Sequence, residues 1–109
     1  MARVVLRPSF LEDYERHVAY WAVHADRAWL ERLLASIGEA RERVESFPEA
    51  YPVERRTTRY VVRRLALGEL PYLILYVHSP RQPVRSVWFV RLFHHRQERP
   101  VPDIASWPW

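Results

Sequence analysis

The hydrophobic period changes once along this chain, and that change constrains the fold more than any other feature. Between residues 10 and 46 the apolar residues recur at helical spacing, first as Phe10, Tyr14, Val18 and Trp21, with Leu11 and Ala22 widening the stripe. Leu30, Leu33, Leu34, Ile37 and Val44 then form a second stripe of the same kind. Residues spaced in this way fall on one side of an α-helix, where they can be buried together. From residue 54 the pattern shortens to β-branched and aromatic runs such as Tyr60-Val61-Val62, which suit strands.

Local signals set the expected boundaries. Residues 2–6 form a short strand stopped by Arg7-Pro8. Ser9 reads as a helix N-cap, with Glu12 completing a capping box. Asp26 caps a second helix, and Pro48 follows its end. Residues 54–67 read as one strand with untidy alternation, which leaves room for a bulge or a register change. Gly68-Glu69 is the next turn. Residues 72–77 are apolar on both parities, as in a central strand covered on both sides.

Two prolines bar strand continuation through the turn at residues 79–83. Residues 84–93 then alternate, with Val84, Trp88, Val90 and Leu92 on one face and Arg85, Val87, Phe89, Arg91 and Phe93 on the other. The order is strand, helix, helix and a three-strand meander. It predicts an α+β fold, β-α-α-β-β-β, with a helical hairpin packed on a small antiparallel sheet. At 109 residues, the whole of 1–109 is expected to be one domain.

Composition removes several function classes. The chain is 49% hydrophobic and 14% aromatic, too apolar for an intrinsically disordered protein. It has no cysteine, which excludes disulfides, a thiol nucleophile and cysteine-ligated metals. All 17 basic residues are arginine, so no lysine can serve as a base or a Schiff-base former. The first residues lack the apolar run of a secretory signal, and no stretch approaches a membrane span. The expected location is the cytoplasm, with no membrane partner.

Charge is divided unevenly. Residues 1–54 hold 7 arginines and 10 acids, a net of −3, whereas residues 55–109 hold 10 arginines and 3 acids, a net of +7. A basic C-terminal half suits either a polyanionic or acidic partner or a solvated arginine face. Four constellations stand out within it.

Arg55, Arg56, Arg59, Arg63 and Arg64 place five guanidinium groups in ten residues, suited to phosphates or carboxylates, although neighbouring strand residues must face apart. Arg85, Phe89 and Arg91 share a parity in the last strand. Aromatics interleaved with arginines on an open sheet can stack bases or grip a peptide, and so apolar a face calls for cover by the chain's own tail or a partner. His94-His95-Arg96 offers a general acid beside cations that could stabilise a phosphorane-like charge, or a structural histidine. Trp107 and Trp109 in the proline-rich tail suit docking on the sheet or on a partner. No histidines have metal-ligand spacing, so neither a metal nor another cofactor is expected.

The order of elements and several local patterns resemble the RelE/ParE superfamily of bacterial toxins. The patterns are Pro8-Ser9 with Asp13 in the following helix, Phe47-Pro48-Glu49, Val62-Arg63-Arg64-Leu65, Pro71-Tyr72-Leu73-Ile74-Leu75-Tyr76, and His94-His95-Arg96-Gln97 before a proline–tryptophan tail. The resemblance implies a toxin of a type II toxin–antitoxin pair, neutralised by a cognate antitoxin and meeting operator DNA only through it. Arg59, Arg63, Arg85, Phe89, Arg91 and Trp107 are the expected partner-binding residues.

The superfamily holds two activities. ParE-like members inhibit DNA gyrase by binding it; RelE-like members cleave mRNA on the ribosome. For the nuclease branch, the resemblance would place Arg64 and Arg96 on the phosphate and His94 as general acid. Here Leu73 stands where that branch often has an arginine, lysine is absent, and the tail carries tryptophan in place of tyrosine. Leucine and tryptophan cannot transfer the proton such chemistry needs. Pro71-Tyr72 with its wholly apolar strand and the His94 run are similar to ParE-like sequences, from which Arg99, an extra residue before Pro100, departs. The ParE-like branch is therefore favoured, without enzymatic activity; an mRNA endonuclease and an inactive antitoxin-binding member are the alternatives.

Overall fold

The computed structural model describes residues 1–24 and 27–94. Its elements follow the order β1 (Arg3–Leu6), α1 (Pro8–His24), α2 (Arg27–Ser46), β2 (Val53–Arg56), β3 (Val61–Ala66), β4 (Tyr72–His78) and β5 (Ser86–His94). The five strands form one sheet in the order β1-β5-β4-β3-β2. This is the expected α+β class, with two refinements. The sheet is mixed, because β1 runs parallel to β5, and the segment expected as one strand over 54–67 is a hairpin of two.

That hairpin explains the untidy alternation. Thr57 Oγ1 accepts the backbone N–H of Arg59 at 3.2 Å and of Tyr60 at 3.1 Å, which turns the chain between β2 and β3. Glu54 is an extra residue in β2, since Val53 pairs with Arg63 while Arg55 pairs with Val62. Gly68 has φ +65°, the left-handed conformation that glycine adopts without a Cβ clash, and it turns β3 back into β4. Central β4 is buried along its whole length, as its two-sided apolar run predicts.

α1 and α2 cover one face of the sheet. Phe10, Leu33, Ile37, Ala40 and Val44 pack there against Val4, Leu65, Tyr72, Ile74, Tyr76, Val87, Phe89 and Leu92. Burying one such side chain contributes roughly 1.5–3 kcal/mol. Leu11 and Leu34, expected within the stripes, are exposed. The opposite face holds a second buried cluster of Tyr60, Val62, Leu73, Leu75, Val77, Val90 and Phe93, with Trp88 against it.

A bulge in β5 decides which residues reach which face. Tyr76 pairs with Phe89 and Leu75 with Arg91, so Val90 has no partner of its own on β4. The alternation flips at that point. Val87 and Phe89 before the bulge, and Leu92 after it, all face the helices, while Trp88, Val90 and Phe93 face the other way. The uniform alternation expected over 84–93 therefore does not hold.

The start of α1 differs from the expected capping box. Pro8 is its first residue, suited to N1 because it has no N–H to satisfy, and Leu11 N–H bonds to Arg7 C=O at 3.1 Å. Ser9 lies inside the helix and donates its hydroxyl to Val90 C=O. Asp26, the expected second cap, lies outside the described residues. Among those described, no helix is long and apolar enough to cross a membrane.

Candidate functional site

β1 pairs with β5 only as far as Phe89, which leaves the second half of that edge of β5 without a strand partner among the described residues. Side chains of α1 take its place. Ser9 donates to Val90 C=O, Asp13 Oδ2 accepts Leu92 N–H at 2.9 Å, and His17 Nε2 donates to Leu92 C=O at 3.1 Å. The spacing of 9, 13 and 17 is one helical row, so α1 satisfies backbone groups that would otherwise be buried without partners. Sequence reading missed this clamp. Its only signal was a polar residue every fourth position beside the apolar stripe.

Asp13 also fixes Arg91. Its two oxygens accept Arg91 Nε at 2.6 Å and Nη2 at 3.1 Å, and Arg16 lies 3.5 Å from Oδ1. The Arg91 guanidinium rests 4.5 Å from the centre of the Phe93 ring. Arg91, expected to face a partner, is thus held by its own chain. Phe89 is fully buried, its ring 5.6 Å from that of Phe10. Arg85 lies in the loop before β5. The expected Arg85–Phe89–Arg91 surface stripe is therefore not formed, because the bulge and α1 separate its members.

Arg63 is the second arginine held inside. It faces the helix side and is 6% exposed. Its Nε donates to His78 Nε2 at 2.9 Å, and Nη1 donates to the carbonyls of Glu49 at 3.1 Å and Tyr51 at 2.7 Å. Tyr76 adds a bond from its hydroxyl to Pro48 C=O at 2.7 Å. Together these bonds fasten the connection between α2 and β2 to the sheet. Accepting from Arg63 requires an unprotonated Nε2, so His78 carries its proton on Nδ1, which donates to Ser79 C=O at 2.7 Å.

Burial lowers the His78 pKa below the ordinary 6.5, and the Arg63 charge lowers it further, against the raising effect of the Ser79 hydrogen bond. Burial also lowers the His17 pKa, opposed by its bond to Leu92 and by Asp13. Burial raises the Tyr72 pKa, countered by the hydrogen bond from Trp21, and raises that of Tyr76.

The candidate nuclease residues Arg64 and His94 occupy different faces of the sheet. Arg64 pairs with Leu75, on the face away from the helices, and reaches Glu54 Oε2 at 3.6 Å. His94 pairs with Tyr72 on the helix face, where the two rings meet edge-on at 5.7 Å. Strand spacing puts their backbones roughly 14 Å apart. Arg96, Trp107 and the rest of the tail lie outside the described residues.

Arg59 and Arg85 are exposed and line a cleft of about 850 Å³ at the end of the sheet where β3 and β5 begin. Arg81 joins them there and was not singled out in the sequence, although an arginine in a loop with a proline on either side was the available signal. Among the described residues, no group of three or more His, Asp or Glu side chains is placed to hold a metal ion.

The fold is similar to that of a solved structure, the archaeal RelE–RelB complex from Pyrococcus horikoshii OT3. The likeness has a TM-score of 0.56 at 17% sequence identity and covers 89% of this chain and 98% of that one. The fold is therefore of the RelE class. The family of ParE toxins of type II toxin–antitoxin systems, parDE, matches residues 4–99, and the chain belongs to that family. No curated protein sequence matches it.

Proposed function

We propose that this chain is a ParE-like toxin that acts by binding DNA gyrase, without cleaving RNA, and that a cognate antitoxin neutralises it in the cytoplasm. Membership of the ParE toxin family supports the toxin assignment. The observation that carries the choice of mechanism is the placement of Arg64 and His94 on opposite faces of the sheet. A phosphoryl-transfer site needs its general acid and its charge-stabilising cation around one phosphate, within hydrogen-bond reach. Arg63 and Arg91, the other basic residues of the sheet interior, are committed to internal bonds.

An antitoxin fits the same surface chemistry. One structural neighbour is solved as a RelE–RelB complex, and the C-terminal half of this chain, net +7, suits an acidic segment. DNA would be met only through that partner. Induction in bacterial cells tests this reading: the toxin alone should stop growth and relax plasmid supercoiling, and co-expression of a cognate antitoxin should restore both. Growth arrest with unchanged supercoiling and cleaved mRNA would assign the chain to the ribosome-dependent branch instead.

A further inference from the structure

The cleft at the end of the sheet gathers Arg59 and Arg85, two of the residues expected to bind a partner, with Arg81. Its walls are the turn carrying Thr58 and Arg59 and the loop from Ser79 to Arg85, with Trp88 beneath. Among the described residues, three arginines, Arg59, Arg81 and Arg85, line it, and no carboxylate does. All three are exposed, and among the described residues no acidic side chain pairs with any of them. Guanidinium groups stay charged at every physiological pH, so three around one concavity leave a standing positive potential there.

The remaining lining sets the polar Thr58, Ser79, Gln82 and Ser86 beside an apolar side. Pro80, Pro83, Val84 and Trp88 contribute flat or fixed hydrocarbon surface beside the cations. A volume of about 850 Å³ falls within the range of small-ligand sites, about 300–1,000 Å³. We propose that this cleft binds a nucleoside phosphate, with the arginines holding the phosphate oxygens and the proline–tryptophan side receiving the base. One ligand then satisfies both halves of the lining. A bare carboxylate chain would use only the cationic half. Arginine suits phosphate particularly, because its planar fork donates two parallel hydrogen bonds to one group. The cleft lies at the start of β5 and His94 at its end, so a ligand there would not reach the candidate nuclease residue.

The test is calorimetric titration of the full chain with adenosine diphosphate, inorganic phosphate, hexathymidylate and hexaglutamate. Adenosine diphosphate should bind more tightly than inorganic phosphate, and Arg81→Ala and Arg85→Ala should each weaken it at least tenfold while the circular dichroism spectrum stays unchanged. Arginine-dependent binding of hexathymidylate tighter than that of the diphosphate assigns the phosphate to a nucleic-acid strand; the reverse order assigns it to a free nucleotide. No binding of either at millimolar concentration, binding undiminished in both variants, or hexaglutamate binding as tightly as the diphosphate would each overturn the proposal.

Discussion

Asp13 and Arg91, 78 residues apart in sequence, form a two-pronged ion pair with Nε at 2.6 Å and Nη2 at 3.1 Å from the carboxylate. The same carboxylate accepts the backbone N–H of Leu92. The pair joins the first helix to the last strand at the point where β1 has ended. Asp13 is 1% exposed, and three donors meet its carboxylate there.

Removing that carboxylate should be costly. Asp13→Ala would leave Arg91 half-buried without its anion and Leu92 N–H without an acceptor, a loss of roughly 3–5 kcal/mol. Urea unfolding measures it through the midpoint. The double variant Asp13→Ala, Arg91→Met should lose less than the sum of the two single changes, since the uncompensated cation is gone.

The arginines of residues 55–64 should separate into two kinds. Arg63→Ala strands the carbonyls of Glu49 and Tyr51 and the acceptor nitrogen of His78, and should lower stability by roughly 3 kcal/mol. Arg59→Ala, at an exposed position, should change stability by less than about 0.5 kcal/mol. Equal midpoints for the two variants in thermal unfolding would contradict the placement of Arg63 inside the fold.

Acid should weaken the fold through two histidines. His78 and His17 both have folded-state pKa values below the ordinary 6.5. Below pH 6.5 the unfolded chain therefore takes up protons that the folded chain still resists. Stability should be constant above about pH 7 as far as these groups are concerned, and fall as pH drops from 6.5 through the folded-state values. Urea midpoints across pH 5 to 8 check the sign, and His78→Gln should flatten part of the slope.

The period change was enough to read the α+β class, the helical hairpin, the turn at Gly68 and the buried central strand. Its limits were those of any pattern confined to one segment. The bulge at Val90 inverts the faces of half a strand, and nothing in the alternation of 84–93 marks it, because both parities are apolar there. Ser9 carries a capping-box spacing, yet its hydroxyl goes to a carbonyl 81 residues away. Tertiary demand for a donor on the β5 edge outweighed a local preference. Arg63 and Arg64 are chemically identical neighbours; the pleat alone sends one into the core and the other outward. Which is which depends on the strand's register, and register depends on partners far along the chain.

As proposed, this toxin binds a protein target and does no chemistry on RNA. Gyrase supercoiling of relaxed plasmid by purified enzyme, with and without this protein, tests this most directly. Inhibition that rises with toxin concentration and is unchanged by His94→Ala is the predicted result. Full supercoiling at saturating toxin, together with cleavage of ribosome-bound mRNA that Arg64→Ala or His94→Ala abolishes, would contradict it.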